Sequence, residues 1–243
     1  MDKKVAILIS GQVRRSSYDV MPSLNRNLIE PNNADVFLSS WNIMPSENQR
    51  IAEQNRNPNF VSVDTNALNI RNLKGIDLEA QKKVTDICKV HHSRLFDDPH
   101  PPHGICYNAY LLKKAMRMIE EAERVDGEYD YILKIRPDFY AGRINISEAD
   151  ILTFSQNASN SFMLSDKLFW GTRNQMKFFI DCLDLHQHKI LTLPYDKSLS
   201  KDLQPIGERF QMQIVKFYGI DYKVSREGIP HCNVKSAKEM GLL

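Results

Sequence analysis

Apolar residues along this chain fall into short runs typical of buried strands and longer stretches with helical spacing. Residues 5–9 are an unbroken apolar run, and residues 34–41 and 130–136 are the other main strand candidates. Apolar positions three and four residues apart predict helices over 17–30 and 105–125. An unbroken apolar run is typical of a strand buried on both faces of a parallel sheet. The order strand, helix, strand therefore predicts an α/β fold with parallel strands.

The rest of the chain adds a loop and several smaller elements. Residues 42–60 are polar and are predicted to form a long surface loop. The other predicted elements are a strand at 61–63, a helix over 76–95, an extended piece at 144–146, helices over 173–185 and 206–218, and a strand at 222–224. No repeat or linker divides the 243 residues, so we expect a single domain spanning residues 1–243.

Composition narrows the class of protein. The chain is 42% hydrophobic and 26% charged with a formal net charge of +2, so no global field favours nucleic acid as a partner. Its four cysteines include no Cys-x-x-Cys pair, which predicts reduced structural thiols. The first apolar run is shorter than the roughly 7–15 residues of a signal-peptide core, and no segment reaches the roughly 20 apolar residues of a membrane span. We therefore predict a cytoplasmic protein.

The strand over 130–136 ends abruptly at an Arg136-Pro137-Asp138 corner. In open α/β sheets, ligands bind where the strands reach their carboxyl ends and the loops diverge. Arg136 lies two residues from Asp138, and Lys134 shares the same strand face. We expect this cationic stripe to suit a diphosphate better than a protein core, with Asp138 at the centre of the site. The alternative is that Asp138 only caps the turn after Pro137.

The turn after the first strand is a second candidate, because such loops hold nucleotides in α/β folds. Gly11 allows the backbone to pass close to a ligand, Gln12 can pair with a base edge, and Arg14 can bind phosphate. The alternative is that Gly11 only shapes the turn. The segment matches neither the phosphate loop nor the dinucleotide fingerprint, so kinase and dehydrogenase functions lose their main support.

Several segments together resemble a known family. They are Ile7 to Arg14, Ala34 to Leu38 with Trp41, Tyr129 to Asp138, Asp166 to Gly171, and Pro205 to Phe210. In their order and spacing they are similar to bacterial glycosyltransferases of lipopolysaccharide and capsule synthesis, and most closely to the WavE-like family. The resemblance covers most of the chain.

The resemblance implies a GT-A-like, Rossmann-type fold with a mixed, mainly parallel sheet flanked by helices. It implies a nucleotide-sugar donor and a glycan or lipid-linked glycan acceptor. Peripheral contact with the inner membrane, through the basic pairs Lys3-Lys4 and Lys113-Lys114, is left open. In GT-A enzymes an Asp-x-Asp motif normally holds Mn or Mg against the diphosphate. Here Arg136 stands in place of the first acid, so Asp138 alone is carried over as a metal ligand. The need for a divalent cation stays open, because a guanidinium can itself compensate diphosphate charge.

The same resemblance points to residues for the chemical step. Asp166 and Glu208 are rival general bases for the acceptor hydroxyl, although an acid like Glu208 in a first helical turn also offsets the helix dipole. His231 is a late candidate for a metal or phosphate contact, and a surface histidine is its plain alternative. The aromatic pair Phe169-Trp170 is a candidate sugar-stacking wall, although such a pair is more often part of the core.

Three functions are compatible with these residues. The first is a sugar transferase that uses a nucleotide-activated donor. The second is a nucleotidyltransferase, which normally needs more clustered acids than Asp138 alone. The third is a non-catalytic subunit that binds a nucleotide sugar or a glycan, and the missing first acid makes this a fair competitor.

Overall fold

The fold is built on a mixed sheet covered by helices on both faces. The computed structural model describes residues 3–47, 59–83, 103–156, 164–190, 211 and 214–225. The strands are β1 (Val5–Ser10), β2 (Asp35–Trp41), β3 (Ile43–Pro45), β4 (Phe60–Ser62), β5 (Leu73–Glu79), β6 (Tyr131–Ile135), β7 (Leu152–Gln156), β8 (Leu164–Thr172) and β9 (Tyr222–Ser225). The helices are α1 (Arg15–Leu24), α2 (Thr65–Leu68), α3 (His103–Asp126) and α4 (Arg173–Ile190), with a π-helical turn at Asn25–Ile29 and a 3-10 turn at Ile146–Glu148.

Seven of these strands form one sheet in the order β5-β2-β1-β6-β8-β7-β9. The pairs β5-β2, β2-β1, β1-β6 and β7-β9 are parallel, whereas β8 runs antiparallel to both β6 and β7. This arrangement confirms the predicted α/β class, a Rossmann-type, mixed and mainly parallel sheet flanked by helices.

Each face of the sheet has its own hydrophobic core. On one face, Ile7, Ile9 and Val36 pack with the apolar side of α1 and the π-helical turn, including Met21 and Leu28. On the other face, alternate residues of the same strands pack against α3 and α4. Both faces of β1 are therefore buried, which confirms the explanation of its unbroken apolar run that the sequence predicts. Among the described helices, none is both long enough and apolar enough to cross a membrane.

Two sequence predictions are corrected by the described residues. Residues 76–79 belong to strand β5 instead of the predicted helix over 76–95, because Ile76 and Leu78 lie two residues apart and β5 pairs in parallel with β2. The predicted loop over 42–60 contains β3, which pairs with β4 in a small antiparallel sheet. The expected extended piece at 144–146 runs into a 3-10 turn.

Edge strand β5 is fixed to α3 by ion pairs. Lys114 of α3 pairs with Asp77 at 2.8 Å and also with Glu79, and the Tyr110 hydroxyl donates to Glu79 at 3.1 Å. The hydrogen bond from Lys114, helped by Lys83, outweighs burial and lowers the pKa of Glu79 to about 2. These contacts compensate for the modest apolar burial of β5, in which Ile76 stays exposed.

The aromatic pair Phe169-Trp170 is part of the core, which is the alternative that the sequence favours as the more frequent one for such a pair. Phe169 is fully buried and packs on Phe154 and Phe179, with ring centroids 5.4 Å and 5.3 Å away. Trp170 points to the other core cluster and is also buried. Neither ring is accessible to a sugar.

We predict that Phe179→Ala lowers the free energy of unfolding by about 3–5 kcal/mol, because it leaves a cavity in this aromatic cluster. The neighbouring Phe178 is 52% exposed on the same helix, so Phe178→Ala is the matched control and should cost about 1 kcal/mol or less. Urea unfolding of both variants measures the difference. Equal losses would contradict the assignment of Phe179 to the core.

Candidate functional site

Parallel pairing brings the two predicted ligand segments to the same edge of the sheet. Strands β1 and β6 pair side by side, so Gly11 after β1 and Arg136 after β6 both lie at the carboxyl edge. Gly11 has a φ of +133° and its N–H donates to the Ser39 carbonyl at 3.2 Å. A Cβ at Gly11 would stand 3.4 Å from Pro137 Cδ. The first turn thus lies directly against the second, and the positive φ is what favours glycine at this position.

The turn after Gly11 is pinned where it enters α1. The Val13 N–H donates to the buried hydroxyl of Ser40 at 3.0 Å. The Arg14 N–H donates to Ser17 Oγ at 3.0 Å, and the Ser17 N–H donates back to the Arg14 carbonyl at 2.8 Å. Arg14 is therefore the N-cap residue of α1, with its backbone fixed at the positive end of the helix dipole.

The corner after β6 is a tight turn over residues 136–139. The Phe139 N–H donates to the Arg136 carbonyl at 3.3 Å, and proline occupies the second position, where its fixed φ favours such a turn. The Arg136 N–H donates to the Lys167 carbonyl of β8 at 2.9 Å. Both neighbours of the corner, β1 and β8, therefore hold it in place.

Asp138 is clamped by two arginines. Arg136 donates from Nε to Asp138 Oδ1 at 3.0 Å and from Nη2 to Oδ2 at 2.7 Å, which is a bidentate pair. Arg14 Nη1 lies 3.3 Å from the same Oδ2. The Asp138 side chain keeps 9% of its surface exposed, whereas Arg14 keeps 21% and Arg136 keeps 28%. The two arginine side chains are therefore more accessible than the carboxylate.

The ionisation of Asp138 follows from these contacts. Burial alone raises the pKa of this carboxyl group, but the charges of Arg136 and Arg14 and the hydrogen bonds from Arg136 outweigh it and lower the pKa below its usual range. Asp138 is therefore ionised at neutral pH. Among the described residues, two guanidiniums and one carboxylate meet at the carboxyl edge.

Lys134 lies on the strand face that the sequence predicts, and that face is buried. It shares the face with the core formed by α3 and α4, is itself fully buried, and its Nζ lies 5.4 Å from the centre of the Phe169 ring. Its binding role stays a prediction. The alternation of side chains along β6 predicted the strand face of Lys134 correctly, but only the tertiary packing shows that helices cover this face.

The other predicted site residues are placed only in part. Gln12 lies half-buried in the turn after β1. The backbone of Asp166 belongs to β8 and directly precedes Lys167, whose carbonyl accepts the hydrogen bond from the Arg136 N–H. Asp166 therefore lies at the same edge of the sheet. Its side chain is outside the described residues. Glu208 and His231 also lie outside the described residues. Their roles remain predictions.

Two residues of the site were missed by the sequence reasoning. Ser40 fixes the first turn by accepting a hydrogen bond from the Val13 N–H. The sequence does contain a sign of this role, because a serine at the end of a buried apolar strand needs a hydrogen-bond partner. Lys167 adds a cation beside the corner, with its Nζ 5.4 Å from the centre of the Phe139 ring. No local pattern marks Lys167, because only the antiparallel pairing of β8 with β6 brings it there.

The described residues do not fit the predicted divalent cation. Both oxygens of Asp138 accept from guanidinium groups, and a cation next to Asp138 would stand close to two positive charges. Among the described residues, no group of three histidine, cysteine, aspartate or glutamate side chains could hold a metal ion. His231 lies outside the described residues, so the cation stays a prediction.

A second bidentate pair shows by contrast what a structural ion pair looks like here. Arg173 donates from Nη2 to Glu123 at 2.8 Å and from Nε at 3.1 Å, and the Tyr129 N–H donates to the same carboxylate. This pair lies at the amino edge of the sheet, where Arg173 also bonds to the Asp130 carbonyl, and Glu123 carries one arginine instead of two. The cluster of Asp138 differs because two arginines engage one carboxylate and because it lies at the carboxyl edge.

Comparison of the sequence with models of protein families and with curated proteins gives no match. The function of this chain is therefore inferred from the geometry of the site and from the resemblance of its motifs.

We predict that Asp138→Asn lowers the free energy of unfolding by about 1.5–3 kcal/mol at pH 7, because it breaks hydrogen bonds to charged groups. The pKa of Asp138 is lower in the folded state, so this contribution is complete above the unfolded pKa of about 3.9 and is lost as the pH falls through the folded pKa. Urea unfolding of both proteins at pH 7 and pH 3 measures it. A difference that grew at pH 3 would contradict the ion pairing.

Proposed function

We propose that this chain is a glycosyltransferase that moves a sugar from a nucleotide-activated donor to a growing bacterial glycan, as one domain of GT-A type. The observation that supports this most is the guanidinium pair of Arg14 and Arg136 at the carboxyl edge of a parallel sheet. Beside it, a glycine with positive φ leads into the N-terminus of α1. Positive charge, backbone access and a helix N-terminus together suit a diphosphate.

In this proposal the cationic edge serves the leaving group. The bond between the anomeric carbon and the diphosphate oxygen breaks, and the nucleoside diphosphate leaves with the electron pair. The guanidiniums of Arg14 and Arg136 stabilise that developing charge, which is the largest contribution such a site can make. The acceptor oxygen bonds to the anomeric carbon, and its proton passes to a carboxylate, for which Asp166 and Glu208 are the candidates.

The proposed partners follow from this chemistry. They are a nucleotide-sugar donor and a glycan or lipid-linked glycan acceptor, without nucleic acid. Peripheral contact with the inner membrane stays an alternative for reaching a lipid-linked acceptor.

A non-catalytic binding subunit is the second candidate, and the clamped state of Asp138 favours it. A carboxylate that two arginines engage is not free to hold the divalent cation that GT-A transferases normally use. In that case the protein would bind the donor and release no nucleoside diphosphate. Donor binding and donor turnover must therefore be measured separately.

The first test is a thermal-shift screen of UDP, GDP, ADP and CDP and of their sugar derivatives. We expect one nucleotide class to raise the melting temperature, because a ligand bound only by the folded state stabilises it. Arg136→Ala should abolish the shift. Arg15→Ala is the matched control and should retain it, because Arg15 is exposed and donates to the Ser46 carbonyl away from the cluster.

Release of nucleoside diphosphate from the nucleotide sugar that binds then distinguishes the two candidates. Turnover in the presence of acceptor supports the transferase, and binding without any turnover supports the subunit. Absence of a shift with every nucleotide and nucleotide sugar would contradict both.

We also predict that Gly11→Ala removes nucleotide binding, because alanine is strained at a φ of +133° and relief of that strain would move the turn that lies against the Arg136-Pro137 corner. Gly127→Ala is a matched control: Gly127 has a φ of +83° and no neighbouring atom within 4 Å of an added Cβ, and it lies at the amino edge. Each substitution should cost about 1–3 kcal/mol of stability through backbone strain. Only Gly11→Ala should lose the nucleotide-induced thermal shift. Equal retention in both variants would contradict a role for the Gly11 turn in binding.

A further inference from the structure

We propose that Asp138 is a positioning residue that holds Arg14 and Arg136, and that these two guanidiniums bind the diphosphate without a divalent cation. This inference rests on the proposed function and goes beyond it, because GT-A enzymes of the resembled type normally use a metal ion at this position. It is carried by the geometry of the three side chains.

The first step is the coordination of the carboxylate. A metal ligand must offer a lone pair to the cation, and Mg and Mn usually keep several further oxygen ligands around them. Here Oδ1 accepts from Arg136 Nε, and Oδ2 accepts from Arg136 Nη2 and faces Arg14 Nη1 at 3.3 Å. Binding of a cation would require these contacts to break and would place the cation beside two like charges.

The second step is accessibility. The Asp138 side chain is nine-tenths buried, whereas both arginine side chains keep more than a fifth of their surface exposed. A ligand that approaches the edge therefore has more contact with the two arginine side chains than with the acid. Guanidinium donors suit a diphosphate, whereas a divalent cation needs the carboxylate oxygens.

The third step is preorganisation. A bidentate pair with a carboxylate fixes the plane of the Arg136 guanidinium, and the N-cap position fixes the backbone of Arg14. Both cations are thus held before the ligand arrives, which reduces the ordering cost of binding. The N-terminus of α1 adds partial positive charge at the same place. An acid at the centre of the cluster keeps two like charges together that would otherwise repel.

The test is isothermal titration of UDP, GDP, ADP and inorganic pyrophosphate into the full chain, once with EDTA and once with Mn²⁺. We expect the affinity to be equal in the two conditions or lower with Mn²⁺, because a metal-bound diphosphate carries less negative charge. Manganese alone, followed by its electron paramagnetic resonance signal, should stay free in the presence of the protein. Affinity at least tenfold higher with Mn²⁺, or stoichiometric binding of Mn²⁺ that Asp138→Asn abolishes, would overturn the inference.

Variants separate positioning from charge. Arg136→Lys keeps the charge but loses the bidentate pair. We expect its affinity for the diphosphate probes to fall by roughly tenfold or more, and to stay the same with EDTA and with Mn²⁺. Arg15→Ala should bind like the unaltered chain. Unchanged binding by Arg136→Lys would overturn the positioning role of the Asp138 pair, and melting temperatures show whether each variant is folded.

The outcomes also separate this inference from the proposed function. Nucleotide binding that requires Mn²⁺ would overturn the inference and leave the transferase in place. Binding of pyrophosphate without Mn²⁺, but of no nucleotide, would support the guanidinium site and overturn the nucleotide-sugar function. Binding of none of the four probes would overturn both.

Discussion

Parallel pairing of β1 with β2 and with β6 is the constraint on which the rest of the site depends. The register sets Ser10 opposite Ser39 and Ile9 opposite Ile135, so the chain leaves all three strands at the same edge. Because the strands are buried on both faces, a shift by one residue would exchange the two cores, and hydrophobic burial therefore fixes the register. Segments distant in sequence become neighbours as a consequence of core packing, before any polar contact is considered.

The charged groups at that edge are attached to two turns whose backbone is fixed by hydrogen bonds. The proline turn after β6 and the capped start of α1 fix the backbone positions of Arg136 and Arg14. The contacts with Asp138 then fix the orientation of their guanidinium groups. The carboxylate stays ionised despite its burial because two cations face it. The same cations remain the accessible part of the cluster, so a group usually associated with metal binding here supports a site for anions.

Ion pairs elsewhere in the molecule serve the architecture. Glu123 and Arg173 join α3 to α4 at the amino edge, and Lys114 joins α3 to the edge strand β5. These pairs have short, well-oriented contacts too, so geometry alone does not identify a functional cluster. The cluster around Asp138 is distinguished by its position at the carboxyl edge, by the two arginines on one carboxylate, and by the partial exposure of both arginine side chains.

The sequence by itself determined the α/β class, most strand and helix positions, and the two turns that meet at the site, because hydrophobic periodicity, glycine and proline act locally. It could not show that residues 76–79 form an edge strand, since pairing with β2 and ion pairs to α3 decide that. It placed Lys134 on the correct strand face, but only packing decided that helices bury it. The tertiary structure alone decided that Arg14 shares the carboxylate of Asp138, because that contact depends on the register between β1 and β6, and register is a property of the assembled core.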